Sequence, residues 1–160
     1  MSKEKVKVTN MTLGKVVYPV FNKPGIKRIF PKQGSFIMIE IEELEESIYQ
    51  PGVRELFEAG CLKIEDEAVL ELLGLIEISS KVMLDLGQCK ELLASRKNSE
   101  ILKALKEGTT ETRNNLVTAA QEIKFMDTVV NKWFIQYCGV DVIQTITLLG
   151  EDEKPVKKEK

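Results

Sequence analysis

The sequence predicts an α+β protein, in which a small N-terminal antiparallel β module is followed by a compact bundle of short α-helices. Near the N-terminus, apolar residues alternate with polar ones, as in half-buried strands. From residue 42 onward they recur at helical spacing, in segments that glycine or proline ends. We therefore expect a β module over residues 1–47, a helical domain packed on it over 48–150, and a flexible charged tail over 151–160.

Composition is that of a globular protein. Of 160 residues, 43% are hydrophobic and 30% charged, and the formal net charge is −2. This charge gives no global field of the kind that draws a protein onto nucleic acid. No apolar run reaches the roughly 18 to 20 residues that span a bilayer. The three cysteines are an odd number and lie far apart, which favours reduced core residues over a disulfide framework.

The first two predicted strands precede a strong turn signal. Lys5 to Thr9 alternates lysine with valine, the pattern of a half-buried strand. Val16 to Phe21 is a second strand, and Pro19 marks it as an edge strand because proline cannot donate to a ladder. Asn22 to Gly25 then predicts a turn, since proline fixes φ at one position and glycine accepts positive φ at the next.

Two apolar-rich runs flank a Pro-Lys-Gln-Gly turn between Gly25 and Leu44, which predicts a β-hairpin that leads directly into a helix. The second arm, Phe36 to Ile41, has apolar groups on both faces. It is therefore expected to be the central and most buried strand.

The remainder predicts short helices that begin at a capping residue or an acidic turn and end at glycine. The predicted starts are Glu42, Pro51, Glu65, Asp85, Asn98, Thr109, Asp127 and Asp141, and the predicted terminal glycines include Gly60, Gly74, Gly108, Gly139 and Gly150. Leu75 to Met83 is ambiguous, because Ile76 to Ile78 also fits a short strand. Trp133, Phe134 and Tyr137 have helical spacing and are expected in the core, with a helix face that docks a neighbouring subunit as the alternative.

No residue pattern predicts catalysis, a cofactor or a metal site. The chain contains no histidine, which removes the usual general base and the commonest metal ligand. The cysteines are not clustered as metal ligands are. The acidic run Glu42, Glu43, Glu45 and Glu46 could be a cation site, but its spacing favours a solvated helix face. We therefore predict that the protein is not an enzyme.

A cationic and aromatic group on the predicted hairpin and its turns is the candidate partner-docking site. Its members are Phe21, Lys23, Lys27, Arg28, Phe30 and Lys32. Basic residues interleaved with aromatic ones are also typical of single-strand nucleic-acid binding. The near-neutral total charge favours the simpler interpretation, a solubilising face on an apolar strand pair.

The order of features resembles a known family. Asn10, Tyr18-Pro19, the GIKRIF-PKQG stretch, the QPGVRELFE motif and the run NNLVTAAQEIKFMDTVVNKWFIQYCGVDVIQTI resemble small structural or accessory, head-associated proteins of bacteriophages and prophages of Firmicute-type bacteria. The resemblance covers about Val6 to Leu149, and its motifs are packing and turn motifs. Gln33 and the Lys/Glu-rich tail depart from the pattern.

The resemblance implies a non-enzymatic virion protein, synthesised in the host cytoplasm and attached to the capsid or head. Its expected partners are capsid or neighbouring head proteins and further copies of the same chain. Neither nucleic acid nor membrane is expected as a partner. The alternative is an intracellular regulatory or nucleic-acid-binding module that uses the basic hairpin.

Overall fold

The computed structural model describes residues 4–149 and confirms the α+β class. The strands are β1 (Lys5–Asn10), β2 (Val16–Pro19), β3 (Lys27–Phe30), β4 (Phe36–Glu40) and β5 (Leu62–Ile64). The helices are α1 (Ile41–Ser47), α2 (Val53–Glu58), α3 (Glu67–Leu72), α4 (Leu86–Ser95), α5 (Asn98–Glu107), α6 (Thr110–Glu122) and α7 (Thr128–Cys138). Residues 142–149 are also helical. The predicted cap Gly150 and the predicted tail, residues 151–160, lie outside the described residues.

The strands form two antiparallel sheets. One has the order β4-β1-β5, and the other is the pair β2-β3. Val8 of β1 lies opposite Ile37 of β4 on one side and Ile64 of β5 on the other. Along the chain, the β2-β3 hairpin therefore lies between β1 and β4, and these two strands pair with each other.

The predicted hairpin between Gly25 and Leu44 is wrong in its pairing. Its two arms, β3 and β4, lie in different sheets. The turn between them is tied to the end of β1, because the backbone N–H of Gly34 donates to the carbonyl of Asn10 at 2.8 Å. Asn10 is fully buried, and its side-chain amide also donates to the carbonyl of Phe30 at 3.1 Å. Asn10 thus fixes the point at which the chain leaves one sheet and enters the other.

The predicted position of the second arm is also wrong. β4 is an edge strand and β1 is central. The side chains of Phe36 and Met38 are 54% and 49% exposed, whereas Ile39 is buried. β4 therefore has apolar residues on both faces, but only the face with Ile39 is buried. The face with Phe36 and Met38 is exposed to solvent.

Four of the eight predicted helix starts, Asp85, Thr109, Asp127 and Asp141, are confirmed by a side-chain capping bond. α5 begins at Asn98, but its N-cap residue is Lys97, which makes no side-chain capping bond, so the prediction of Asn98 as the cap is wrong. The carboxylates of Asp66, Asp85 and Asp127 and the hydroxyl of Thr109 each accept a hydrogen bond from backbone N–H groups in the first turn that follows. The alternative strand at Ile76 to Ile78 is not formed, because Ile76–Ser80 is a 3-10 helix.

Two buried clusters make up the core. The first unites the sheets with α1, α2, α3 and the 3-10 helix, and its buried members run from Val6 to Ile78. The second lies among the later helices and runs from Cys89 to Val142, with Phe134 fully buried and Trp133 and Tyr137 packed against it. The clusters divide between Ile78 and Cys89, so the helices before that point pack with the sheets.

Candidate functional site

The predicted docking residues do not form one surface. Phe30 is fully buried, and its ring stacks on that of Tyr18 with centroids 6.3 Å apart. Its assignment to a docking site is therefore wrong. Phe30 lies on the core face of the β2-β3 pair, opposite Val16, which is buried as well.

Arg28 is occupied by an intramolecular ion pair. Its Nε donates to Oε2 of Glu43 at 2.8 Å, and its Nη2 donates to Oε1 of the same carboxylate. The hydrogen bond to Glu43 raises the pKa of Arg28 above its ordinary value. This bidentate pair joins β3 to α1, so the main role visible for Arg28 is to hold the hairpin against the first helix.

The other four predicted residues, Phe21, Lys23, Lys27 and Lys32, are exposed. Two of them line a shallow pocket of about 160 Å³ whose opposite wall is acidic; its lining is Val20, Phe21, Lys23, Glu40, Glu42, Glu43 and Glu46. The surface around Phe21 thus carries both signs of charge. It is not the uniformly basic patch that the sequence predicts.

The cysteines lack the environment of reactive thiols. Burial raises the pKa of the Cys89 thiol to about 12 and raises the pKa values of Cys61 and Cys138 above their ordinary value. A nucleophilic cysteine needs the opposite shift, toward the thiolate. Among residues 4–149, no group of three or more acidic or cysteine side chains is arranged to hold a metal ion.

A second pocket, of about 350 Å³, lies between α6 and α7, where Arg113, Val117, Tyr137 and Val140 are among its lining residues. The Nε of Arg113 donates to the carbonyl of Leu105, and its Nη2 donates to that of Lys106. Arg113 is therefore engaged in binding the carbonyl groups at the end of α5.

Apolar side chains face solvent on both sheets. Val17 and Ile29 lie opposite each other across the β2-β3 pair, and both are exposed. On the larger sheet, Phe36 and Met38 are exposed, and the ammonium group of Lys7 lies 4.5 Å from the centroid of the Phe36 ring. Sequence reasoning missed these residues as a surface. The alternation in β1 placed Lys7 on a solvent face, but no local signal indicated that β4 lies beside it.

No family model matches the chain, and no curated protein or solved structure is similar to it at a significant level. The predicted relationship to phage head-associated proteins therefore stays a prediction. No helix among residues 4–149 is long and apolar enough to cross a membrane.

Proposed function

We propose that this protein is a non-enzymatic structural or accessory component of a phage virion, associated with the capsid or head and acting through protein–protein docking. The observation that carries the docking role is the exposed apolar pair Val17 and Ile29, which lies on the solvent face of the β2-β3 sheet. Apolar groups that adjoin each other on a surface are typical of interaction sites. The proposed partners are neighbouring head proteins and further copies of the chain.

The virion assignment rests on the resemblance of the turn and helix motifs to head-associated phage proteins. A docking protein needs a rigid scaffold behind its contact residues, and both Val17 and Ile29 lie on strands whose opposite face is buried. Val16 and Tyr18 on β2 and Phe30 on β3 all belong to the first core cluster. The contact residues are thus held by the core and need little ordering when a partner binds.

Mass spectrometry of purified particles tests the virion assignment. We expect the protein to remain with particles through density-gradient purification, at a constant ratio to the capsid protein. Absence from mature particles, together with abundance in the lysate of the producing cells, would refute it.

A variant pair tests the surface itself. Val17→Lys combined with Ile29→Glu is expected to abolish incorporation into particles while the purified variant keeps its thermal stability, because the two new charges face each other across the strand pair and have opposite signs. Tyr49→Lys combined with Leu72→Glu is the matched control, because both side chains are exposed, at 85% and 58%, and the double substitution introduces the same two charges elsewhere on the protein. Equal incorporation of the double variant and the control would assign docking to another surface.

The nucleic-acid alternative receives less support. It used the basic hairpin, but Arg28 is bound to Glu43, and Phe30 is buried and unable to stack on a base. It would predict binding of single-stranded DNA or RNA that falls steeply with salt.

A further inference from the structure

The outer edge of β4 presents backbone groups with which no strand among the described residues pairs. Near the two ends of the β1-β4 ladder, Ile41 N–H donates to the carbonyl of Glu4 and Asn10 N–H donates to that of Ser35. Hydrogen-bonded pairs alternate along an antiparallel ladder. The N–H and C=O groups of Phe36 and Met38 therefore point away from β1, where residues 4–149 place no further strand.

The side chains beside this edge combine apolar and positive character. Phe36 and Met38 are exposed on the solvent face, and Lys7 leans across β4 until its ammonium lies over the Phe36 ring. Lys7 forms no ion pair within the described part of the chain. Lys5, Lys63 and Glu40 share this face of the sheet, because they alternate with the buried residues of their strands. Lys5 lies opposite Glu40, and Lys63 forms an ion pair with Glu65 at 3.4 Å, so Lys7 is the cation on which the charge preference depends.

The core side of β4 has a different character. Ile37 and Ile39 point to that side. Ile39 is buried, and Ile37 is partly buried and packs against the first core cluster. A strand that added to β4 would continue both faces. Its side chains on the core side would lie next to isoleucines, and its side chains on the solvent side would lie next to Phe36, Met38 and the Lys7 ammonium.

We propose that the β4 edge, formed by Phe36, Met38 and Lys7, binds an extended acidic segment of another protein by strand addition. The segment would alternate apolar residues, which pack beside Ile37 and Ile39, with acidic residues, which pair with Lys7. Backbone hydrogen bonds to Phe36 and Met38 supply binding that does not depend on side chains, and the alternation supplies selectivity. This surface lies on the β4-β1-β5 sheet, separate from the exposed Val17 and Ile29 of the β2-β3 pair, so the proposal goes beyond the docking role proposed above and does not depend on it.

Isothermal titration of the full chain with a short capped peptide that alternates valine with glutamate tests the charge preference. The valine–glutamate peptide is expected to bind, and a valine–lysine peptide is expected to bind at least about fivefold more weakly at low salt. A peptide N-methylated on alternate residues, which removes its donors on one edge, is expected to bind about tenfold or more weakly.

Two variants, each compared with a control substitution, locate the binding site. Lys7→Glu is expected to reverse the preference in favour of the valine–lysine peptide, whereas Lys103→Glu, the same charge change on the exposed face of α5, is expected to leave it unchanged. Met38→Pro removes an outward N–H at an edge position, where proline is tolerated, and is expected to abolish binding that Met38→Leu retains. Should Met38→Pro not fold, the Lys7 reversal and the N-methylated peptide still test the proposal.

Hydrogen exchange distinguishes strand addition from other contacts. In the free protein, the amides of Phe36 and Met38 are expected to exchange fast and those of Ile37 and Ile39 slowly. Saturation with the valine–glutamate peptide is expected to protect Phe36 and Met38.

Four outcomes would overturn the proposal: equal binding of the N-methylated peptide, unchanged exchange at Phe36 and Met38, concentration-dependent self-association through β4, or preferential binding of a single-stranded oligonucleotide at Lys7. Each of these leaves the virion assignment standing, because particle composition tests that assignment separately.

Discussion

The side-chain amide of Asn115 on α6 donates to the carbonyl oxygen of Met11 at 2.9 Å, joining residues 104 positions apart. The same amide donates to the carbonyl of Leu84, also at 2.9 Å. Gln33 adds a second bridge, because its side-chain amide donates to Met11 and its side-chain oxygen accepts from the N–H of Leu86 at 2.8 Å. This polar junction connects the sheet core with the helical core. Gln33 therefore has a structural role at this junction.

Asn115→Leu is expected to lower the free energy of unfolding by about 2 kcal/mol, since it leaves buried polar groups without their partner. Asn115 is fully buried, so water cannot replace the lost bonds without a rearrangement. Urea denaturation measures the change. Asn114→Leu is the matched control, because the neighbouring Asn114 is exposed and its side-chain bond, to Glu111, is long at 3.3 Å. Equal effects of the two substitutions would show that the junction contributes nothing specific.

Local signals in the sequence predicted the helices well. A capping bond connects a side chain with a backbone group two or three residues away, so Asp66, Asp85, Thr109 and Asp127 carry their own information about where a helix begins. The predicted turn at Asn22 to Gly25 is formed as well, with positive φ at both of those residues, because asparagine and glycine accept the left-handed backbone conformation.

Strand pairing depended on contacts that no local signal contains. The run Phe36 to Ile41 has the same alternation beside β3 as beside β1, so the nearest strand in sequence was the wrong partner. The correct partner is selected by Asn10, which binds both sheets from a position 20 residues before Phe30. The candidate site changed accordingly: Phe30 moved into the core, and Phe36 and Met38, predicted to be buried, are exposed.

Tyr18→Phe is expected to leave the free energy of unfolding unchanged at neutral pH or to raise it by up to about 1 kcal/mol. The hydroxyl of Tyr18 is buried and has no hydrogen-bond partner among the described residues, so its removal eliminates a desolvation cost. Thermal denaturation measures the effect, and Tyr49→Phe, at an exposed tyrosine, is the control. A loss of stability greater than about 1 kcal/mol would reveal a hydrogen bond that this arrangement lacks.

Alkaline pH is expected to destabilise the protein partly through Cys89. Burial raises the pKa of this thiol from 9.0 to about 12 in the folded state, whereas in the unfolded chain it ionises near the ordinary value. Its contribution to stability is therefore fully present below about pH 9 and is lost as the pH rises from there toward 12, with a slope that approaches about 1.4 kcal/mol per pH unit. Cys89→Ala should reduce this slope. The substitution also changes core packing, but that effect does not depend on pH and so does not alter the slope. Parallel curves of unfolding free energy against pH for the two proteins would contradict the assignment.

Gly60→Ala is expected to destabilise the protein much more than Gly52→Ala, although both glycines have positive φ, of 81° and 88°. A methyl group at Gly60 would lie 2.3 Å from Oγ1 of Thr109, whereas at Gly52 it would meet open space. Gly52→Ala therefore measures only the left-handed backbone cost of about 1 to 2 kcal/mol.

The additional loss of stability at Gly60 measures the close approach between the end of α2 and the start of α6, where Glu111 N–H also donates to the carbonyl of Ala59 at 2.9 Å. Since Thr109 is buried and caps α6, it cannot move aside without losing that cap. Urea denaturation of both variants measures the free energy of unfolding. Equal decreases for the two variants would mean that the structure accommodates a methyl group at Gly60 without further loss of stability.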